Sequence, residues 1–171
     1  ESHTDKLITY IRYWQNEGES LKTGIRVTDY HIGATKEGRF RGGNLIPFGY
    51  QLVDNGTINQ KGRKIFDFVV NEQEASIIKK IYELSLNYNY GASRIAKYLN
   101  YHGYKSKKGH NWSASTISTI FKNPIYKGQF HMYSSFYNEL VLSPIKNELA
   151  IIDESDWERN RIKIKSRSVQ K

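Results

Sequence analysis

No cysteine occurs in this chain, which removes disulfides, thiol chemistry and cysteine-type zinc sites together and fits a cytoplasmic location. No run approaches the ~18 consecutive apolar residues of a membrane-spanning helix, and no signal-peptide pattern is present, so no membrane partner is expected. The five histidines, at 3, 31, 102, 110 and 131, show no paired metal-ligand spacing. Gly42-Gly43 is too short for a phosphate loop, and no Gly-Lys-Ser or Gly-Lys-Thr occurs. Acidic residues sit singly except at Glu17/Glu19, Glu72/Glu74 and between Asp153 and Glu158. Helix-start capping explains the last two groups more cheaply than catalysis does. The expectation is a chain with no catalytic residue, no metal and no cofactor of its own.

The most informative absence is local. From Leu84 to Asn138 there is no Asp or Glu, while Arg94, Lys97, Lys105, Lys107, Lys108, Lys122 and Lys127 all fall inside the segment. Like charges without counter-charges repel one another unless something anionic lies against them, and nucleic acid is the usual candidate. The whole chain points the same way, with 26 Lys and Arg against 17 Asp and Glu and a net charge of +9.

The acid-free segment has the pattern of two short helices. Ala92, Ile95, Ala96 and Leu99 recur at helical spacing and Gly103 follows as a stop. After a basic loop, Ser113 stands as an N-cap for a second helix. Ala114, Ile117, Ile120 and Phe121 form that helix's apolar side, and Asn123-Pro124 ends it. Its other side shows Ser115, Ser118, Thr119 and Lys122, small donors suited to close approach to phosphates or base edges. The linker between the helices, from Asn100 to Trp112, is longer than the compact helix-turn-helix motif uses.

At 171 residues the chain accommodates one well-buried domain plus an arm or tail. Residues 4–38 read as one long helix capped by Thr4, apolar over its first half at Leu7, Ile8, Ile11, Tyr13 and Trp14 and weakened by Gly18, Gly24 and Gly33. Because that apolar face fades in the second half, the helix cannot be buried along its whole length, and its first half is expected to pack against something outside this chain, either another domain or another copy. Residues 36–43 read as a flexible basic linker that frees Arg39 and Arg41 to reach a phosphate backbone or a minor groove. A first hairpin is expected from strands at 47–53 and 64–70, with a turn at Asp54-Asn-Gly56 and a polar tip at 59–64. Asn71 and Glu74 predict a capping box opening a helix through Leu84 and Leu86. A second hairpin is expected from 126–132 and 139–142. A last helix is expected from a Ser155 cap, with a basic end that frays or continues into a partner.

Several phrases resemble the large serine recombinases of the resolvase–invertase superfamily, specifically the recombinase DNA-binding module that follows their catalytic domain. Glu17-Gly-Glu-Ser-Leu-Lys-Thr-Gly-Ile-Arg26 leading into Glu37-Gly-Arg-Phe-Arg-Gly-Gly43 is similar to the family's connecting helix and its exit. Pro47-Phe-Gly-Tyr50, the helix at 72–86, Gly91-Ala-Ser-Arg-Ile-Ala-Lys-Tyr-Leu-Asn100, Trp112-Ser-Ala-Ser-Thr-Ile117 and Asn123-Pro-Ile-Tyr-Lys-Gly128 follow in the family's order. The resemblance spans residues 15–165. It implies a fragment in which the catalytic domain with its nucleophilic serine, and the cysteine-bearing zinc ribbon, are both outside the sequence.

The expected fold is α+β: a long N-terminal helix, then a domain of short helices and small antiparallel hairpins with a helix-turn-helix-like DNA reader. The expected divisions are 1–38 connecting helix, 39–46 linker, 47–165 DNA-binding domain and 166–171 tail. Double-stranded DNA is the expected partner. The helix at 113–122 would enter a major groove through Ser115, Ser118, Thr119 and Lys122. Lys105, Lys107, Lys108 and His110 would hold the flanking backbone, and Arg39 and Arg41 would lie near the minor groove. The rival readings are a stand-alone winged-helix-like transcriptional regulator and a structural RNA-associated protein.

Overall fold

A computed structural model describes residues 3–40, 46–60 and 62–169. The chain is α+β as expected, with five α-helices and two separate two-stranded antiparallel sheets among the described residues.

Helix α1 runs His3–Lys36, so Thr4 lies inside its first turn and the helix stops two residues short of the expected 38. At 1.5 Å per residue it is about 50 Å long. Its apolar first half finds no cover among the described residues: Leu7, Ile8 and Ile11 are exposed, and Trp14 is 75% exposed. Only the last turns pack on the module, where Ala34 and Thr35 are buried. The exit from α1 is pinned by aromatic rings. Phe40 stacks on Phe68 at 4.7 Å between centroids, and Tyr50 stacks on the same ring at 4.8 Å. Tyr137 Oη donates to Asp29 Oδ1 at 2.8 Å, tying the helix to the second hairpin.

The core is made by helices α2 (Glu72–Leu86), α3 (Ala92–Tyr101), α4 (Ala114–Lys122) and α5 (Glu154–Val169). Ile78, Ile81, Ile95, Leu99 and Ile117 are fully buried together, each from the apolar stripe of its own helix. Asn71 caps α2 by accepting the Glu74 N–H at 3.1 Å. The Glu74 side chain, however, does not turn back to close a capping box. It reaches the residue before the first strand and accepts the Gly49 N–H at 2.7 Å. Helix α5 begins directly after Asp153, whose carbonyl accepts the Trp157 N–H at 3.0 Å, so Asp153 rather than Ser155 stands at its start. Its basic end is not free. Lys163 Nζ donates to the carbonyls of Ser85 (2.8 Å) and Leu86 (3.1 Å), and Arg167 donates to that of Asn89 (3.0 Å). These are the last carbonyls of α2 and the turn after it, the negative end of a helix dipole where cations belong.

Strands β1 (Tyr50–Ile58) and β2 (Lys64–Val70) pair antiparallel, with Tyr50 opposite Val70. Asp54-Asn55-Gly56 is not the turn the sequence suggests. The strand runs through it with a register shift, and Gly56 adopts a φ of +76°, as a glycine-centred bulge requires. Strands β3 (His131–Ser134) and β4 (Glu139–Leu142) form the second hairpin. Residues 124–126 form a 3-10 turn instead of the expected strand start, because Asn123 caps that turn by accepting the Ile125 N–H at 3.1 Å. The buried Tyr50 hydroxyl closes the core, 2.7 Å from the Ile125 carbonyl and 2.8 Å from that of Leu149.

Candidate nucleic-acid interface

Helices α3 and α4 pack on each other and are locked by one side chain. Asn100 Oδ1 accepts the Trp112 N–H at 2.7 Å, and Asn100 Nδ2 donates to the Trp112 carbonyl at 2.9 Å. Trp112 is buried edge-on against Phe48 with centroids 4.9 Å apart. The long linker therefore starts and ends at a fixed separation, and the start of α4 is held relative to α3. Ser113 caps α4 by accepting the Thr116 N–H at 3.2 Å.

With Ile117, Ile120 and Phe121 buried, α4 turns Ser115, Thr119 and Lys122 outward, while Ser118 is half-buried. The hydroxyls are locally engaged. Ser115 Oγ lies 2.8 Å from Ser113 Oγ, and Thr119 Oγ1 donates to the Ser115 carbonyl at 3.0 Å. Each hydroxyl oxygen keeps acceptor capacity. A groove of about 500 Å³ is lined by Ser115, Thr116 and Thr119 of α4 together with Ile46, Pro47 and Phe48. The residues that leave the linker and the outward face of α4 thus border one depression.

The basic residues of the acid-free segment divide into two groups. Lys127 is 7% exposed and bonded to carboxylates from outside the segment, Glu154 at 3.0 Å and Glu158 at 3.3 Å. Lys107 also turns inward. Its ammonium donates to the Tyr50 carbonyl, to the Pro47 carbonyl at 3.2 Å and to Glu74 Oε2 at 3.2 Å. A phosphate contact there would have to break this set. Arg94, Lys97, Lys105, Lys108 and Lys122 remain exposed, and none of the five has an ion-pair partner among the described residues. Lys105 donates to Asn111 Oδ1 at 2.7 Å, which leaves its charge uncompensated.

His110 is exposed beside this loop, and its carbonyl accepts the Ser106 N–H at 2.9 Å. Arg39 lies apart from α4, at the exit of α1. It pairs with Glu37 at 2.5 Å and lies over the Tyr30 ring at 5.9 Å, and the Glu37 hydrogen bond raises its pKa further. Arg41 lies outside the described residues, as does most of the expected linker. Sequence reasoning left Arg94 and Lys97 out of the candidate site, although the same charge pattern contained them. The missing step was to place both on the outer side of α3, which the burial of Ile95, Ala96 and Leu99 dictates.

Among the described residues no helix is long and apolar enough to cross a membrane. No curated protein matches the chain. The fold matches a chain of a solved LSR–DNA complex with a TM-score of 0.54 at 18% identity, covering 84% of this chain and 38% of that one. It also matches a chain from a structure addressing the sequence requirements of the Listeria innocua prophage attP site, with a TM-score of 0.57 at 18% identity. That match covers 82% of this chain and 51% of the other. This chain therefore spans about half or less of the solved chains it resembles, and at such identity the likeness is one of fold. The model of the Recombinase family matches residues 72–167, from the start of α2 almost to the end of α5 and more than half of the chain. The chain belongs to the Recombinase family.

Proposed function

We propose that this chain is the DNA-holding module of a site-specific serine recombinase of a mobile element, and that it grips attachment-site duplex for a catalytic domain outside the sequence. The observation that carries the reading is the division of charge. Lys107 and Lys127 are neutralised from inside the protein, while five other cations on α3, the loop and α4 are left facing water without a carboxylate. A solvated face mixes signs; a face for a polyanion does not. The fold neighbours named for DNA and for a prophage attP site point the same way.

In this reading α4 enters the major groove with Ser115 and Thr119 toward base edges. Lys105, Lys108, Lys122 and His110 reach flanking phosphates, and Arg39 and Arg41 approach the neighbouring minor groove. Helix α1 leads away toward the catalytic domain or another copy, which would cover Leu7, Ile11 and Trp14. A stand-alone regulator would have no use for so long an uncovered apolar helix. The test is selection of duplexes from a random library followed by footprinting. A defined site with major-groove protection flanked by minor-groove protection is expected. Selection of no shared sequence, or preference for structured RNA in competition, would refute the reading.

A further inference from the structure

Helix α3 carries its charge differently from α2 and α5. On α2, Lys80 pairs with Glu83 at 3.1 Å; on α5, Arg159 pairs with Asp156 at 3.1 Å and Arg161 with Glu158 at 3.7 Å. These are ordinary pairs three residues apart on solvated faces. Arg94 and Lys97 on α3 have the same spacing but share one sign, and no carboxylate lies on the helix. The Arg94 guanidinium is also held in place, 3.9 Å above the centre of the Tyr90 ring. Stacking restrains the group through its face and leaves the in-plane N–H donors outward.

Its position adds to this. The Asn100–Trp112 hydrogen bonds fix α3 against the start of α4, so whatever lies on α4 also lies at a set distance from α3. Arg94 and Lys97 are separated by about 4.5 Å along the helix axis, against a phosphate spacing of roughly 3.4 Å per strand along a duplex.

We propose that the outer face of α3 is a second phosphate-binding surface, in which Arg94 and Lys97 hold one strand of the duplex whose groove receives α4. This rests on the DNA-binding reading above and extends it to residues on a different helix. The surface positions the duplex and carries no sequence preference, because phosphates carry none.

The test is a salt titration of binding, on a duplex selected by the wild-type chain and on a scrambled duplex. The variants are Arg94→Ala/Lys97→Ala and Arg94→Lys, with the thermal unfolding midpoint measured for each. The double variant is expected to lose about 1.8 from the slope of log affinity against log salt, roughly 0.9 per contact, equally on both DNAs and with an unchanged midpoint. Arg94→Lys should keep the wild-type slope. A double variant with the wild-type slope would overturn this proposal and leave DNA binding standing. A wild-type chain with no salt-dependent duplex affinity would overturn both.

Discussion

Lys107 Nζ lies 3.2 Å from Glu74 Oε2, the same carboxylate oxygen that accepts the Gly49 N–H at 2.7 Å. The basic loop, the entry to β1 and the first turn of α2 are thus joined at one point. We expect Lys107→Ala to destabilise the fold by about 1–3 kcal/mol, since it strips a charged donor from part-buried acceptors. The salt slope of DNA binding should hardly change. Lys108→Ala should do the opposite, leaving stability within about 0.5 kcal/mol and lowering the slope by about 0.9. Denaturant unfolding and salt titration of the two variants, side by side, check this.

Ser115, Thr116 and Thr119 carry the exposed hydroxyls of α4, with that of Thr116 held 2.9 Å from the capping Ser113 Oγ, whereas Ser118 is half-buried. Changing Ser115 and Thr119 to Ala should lower discrimination between selected and scrambled duplex by about 1–3 kcal/mol per lost base contact. Affinity for the scrambled duplex should hold. Equal losses on both DNAs would reassign these hydroxyls to phosphates.

Gly128 adopts a φ of +80°, and a Cβ there would run into the Lys146 carbonyl. Backbone on both sides of this contact is fixed, because the Lys146 N–H donates to the Gly128 carbonyl at 2.9 Å. Gly128→Ala should therefore cost about 1–3 kcal/mol or more through strain at a backbone conformation reserved for glycine, read as a lowered denaturant midpoint.

Burial raises the pKa of the Tyr50, Tyr82 and Tyr126 phenols, with smaller contributions from neighbouring phenols and, for Tyr126, from Glu74. Their folded-state pKa values lie above the unfolded value of roughly 10. The folded state then holds more protons than the unfolded state above that pH, so stability is complete below it and falls as pH rises beyond it. Three such groups acting together should remove about 4 kcal/mol per pH unit. Circular dichroism on alkaline titration should show a steep cooperative loss of structure above pH ~10. A gradual, shallow decline would contradict the buried placement of these rings.

The helices were legible wherever an apolar stripe was reinforced by a local cap, as with Asn71 before α2 and Ser113 before α4. Asp54-Asn55-Gly56 misled because the same residues that favour a turn also favour a bulge. The Asp54 carboxylate accepts the Gly56 N–H at 3.0 Å within a continuing strand, and only pairing with β2 decides between the two. The sequence groups Lys107 with its loop neighbours because its partner Glu74 is 33 residues away. Charge segregation shows that cations lack local partners; it does not show which of them fold back onto distant ones. The basic end of α5 was unreadable for the same reason, since its acceptors are the final carbonyls of α2.

On this reading the module holds a specific duplex through a face of cations around α4 that have no ion-pair partner among the described residues. The most direct measurement is a titration of the chain by fluorescence anisotropy, on its selected duplex and on a scrambled duplex, across a range of salt. About a thousandfold or greater preference for the selected site is expected. Both affinities should fall steeply with salt, at a slope matching several phosphate contacts. Equal affinity for the two duplexes, or binding indifferent to salt, would contradict it.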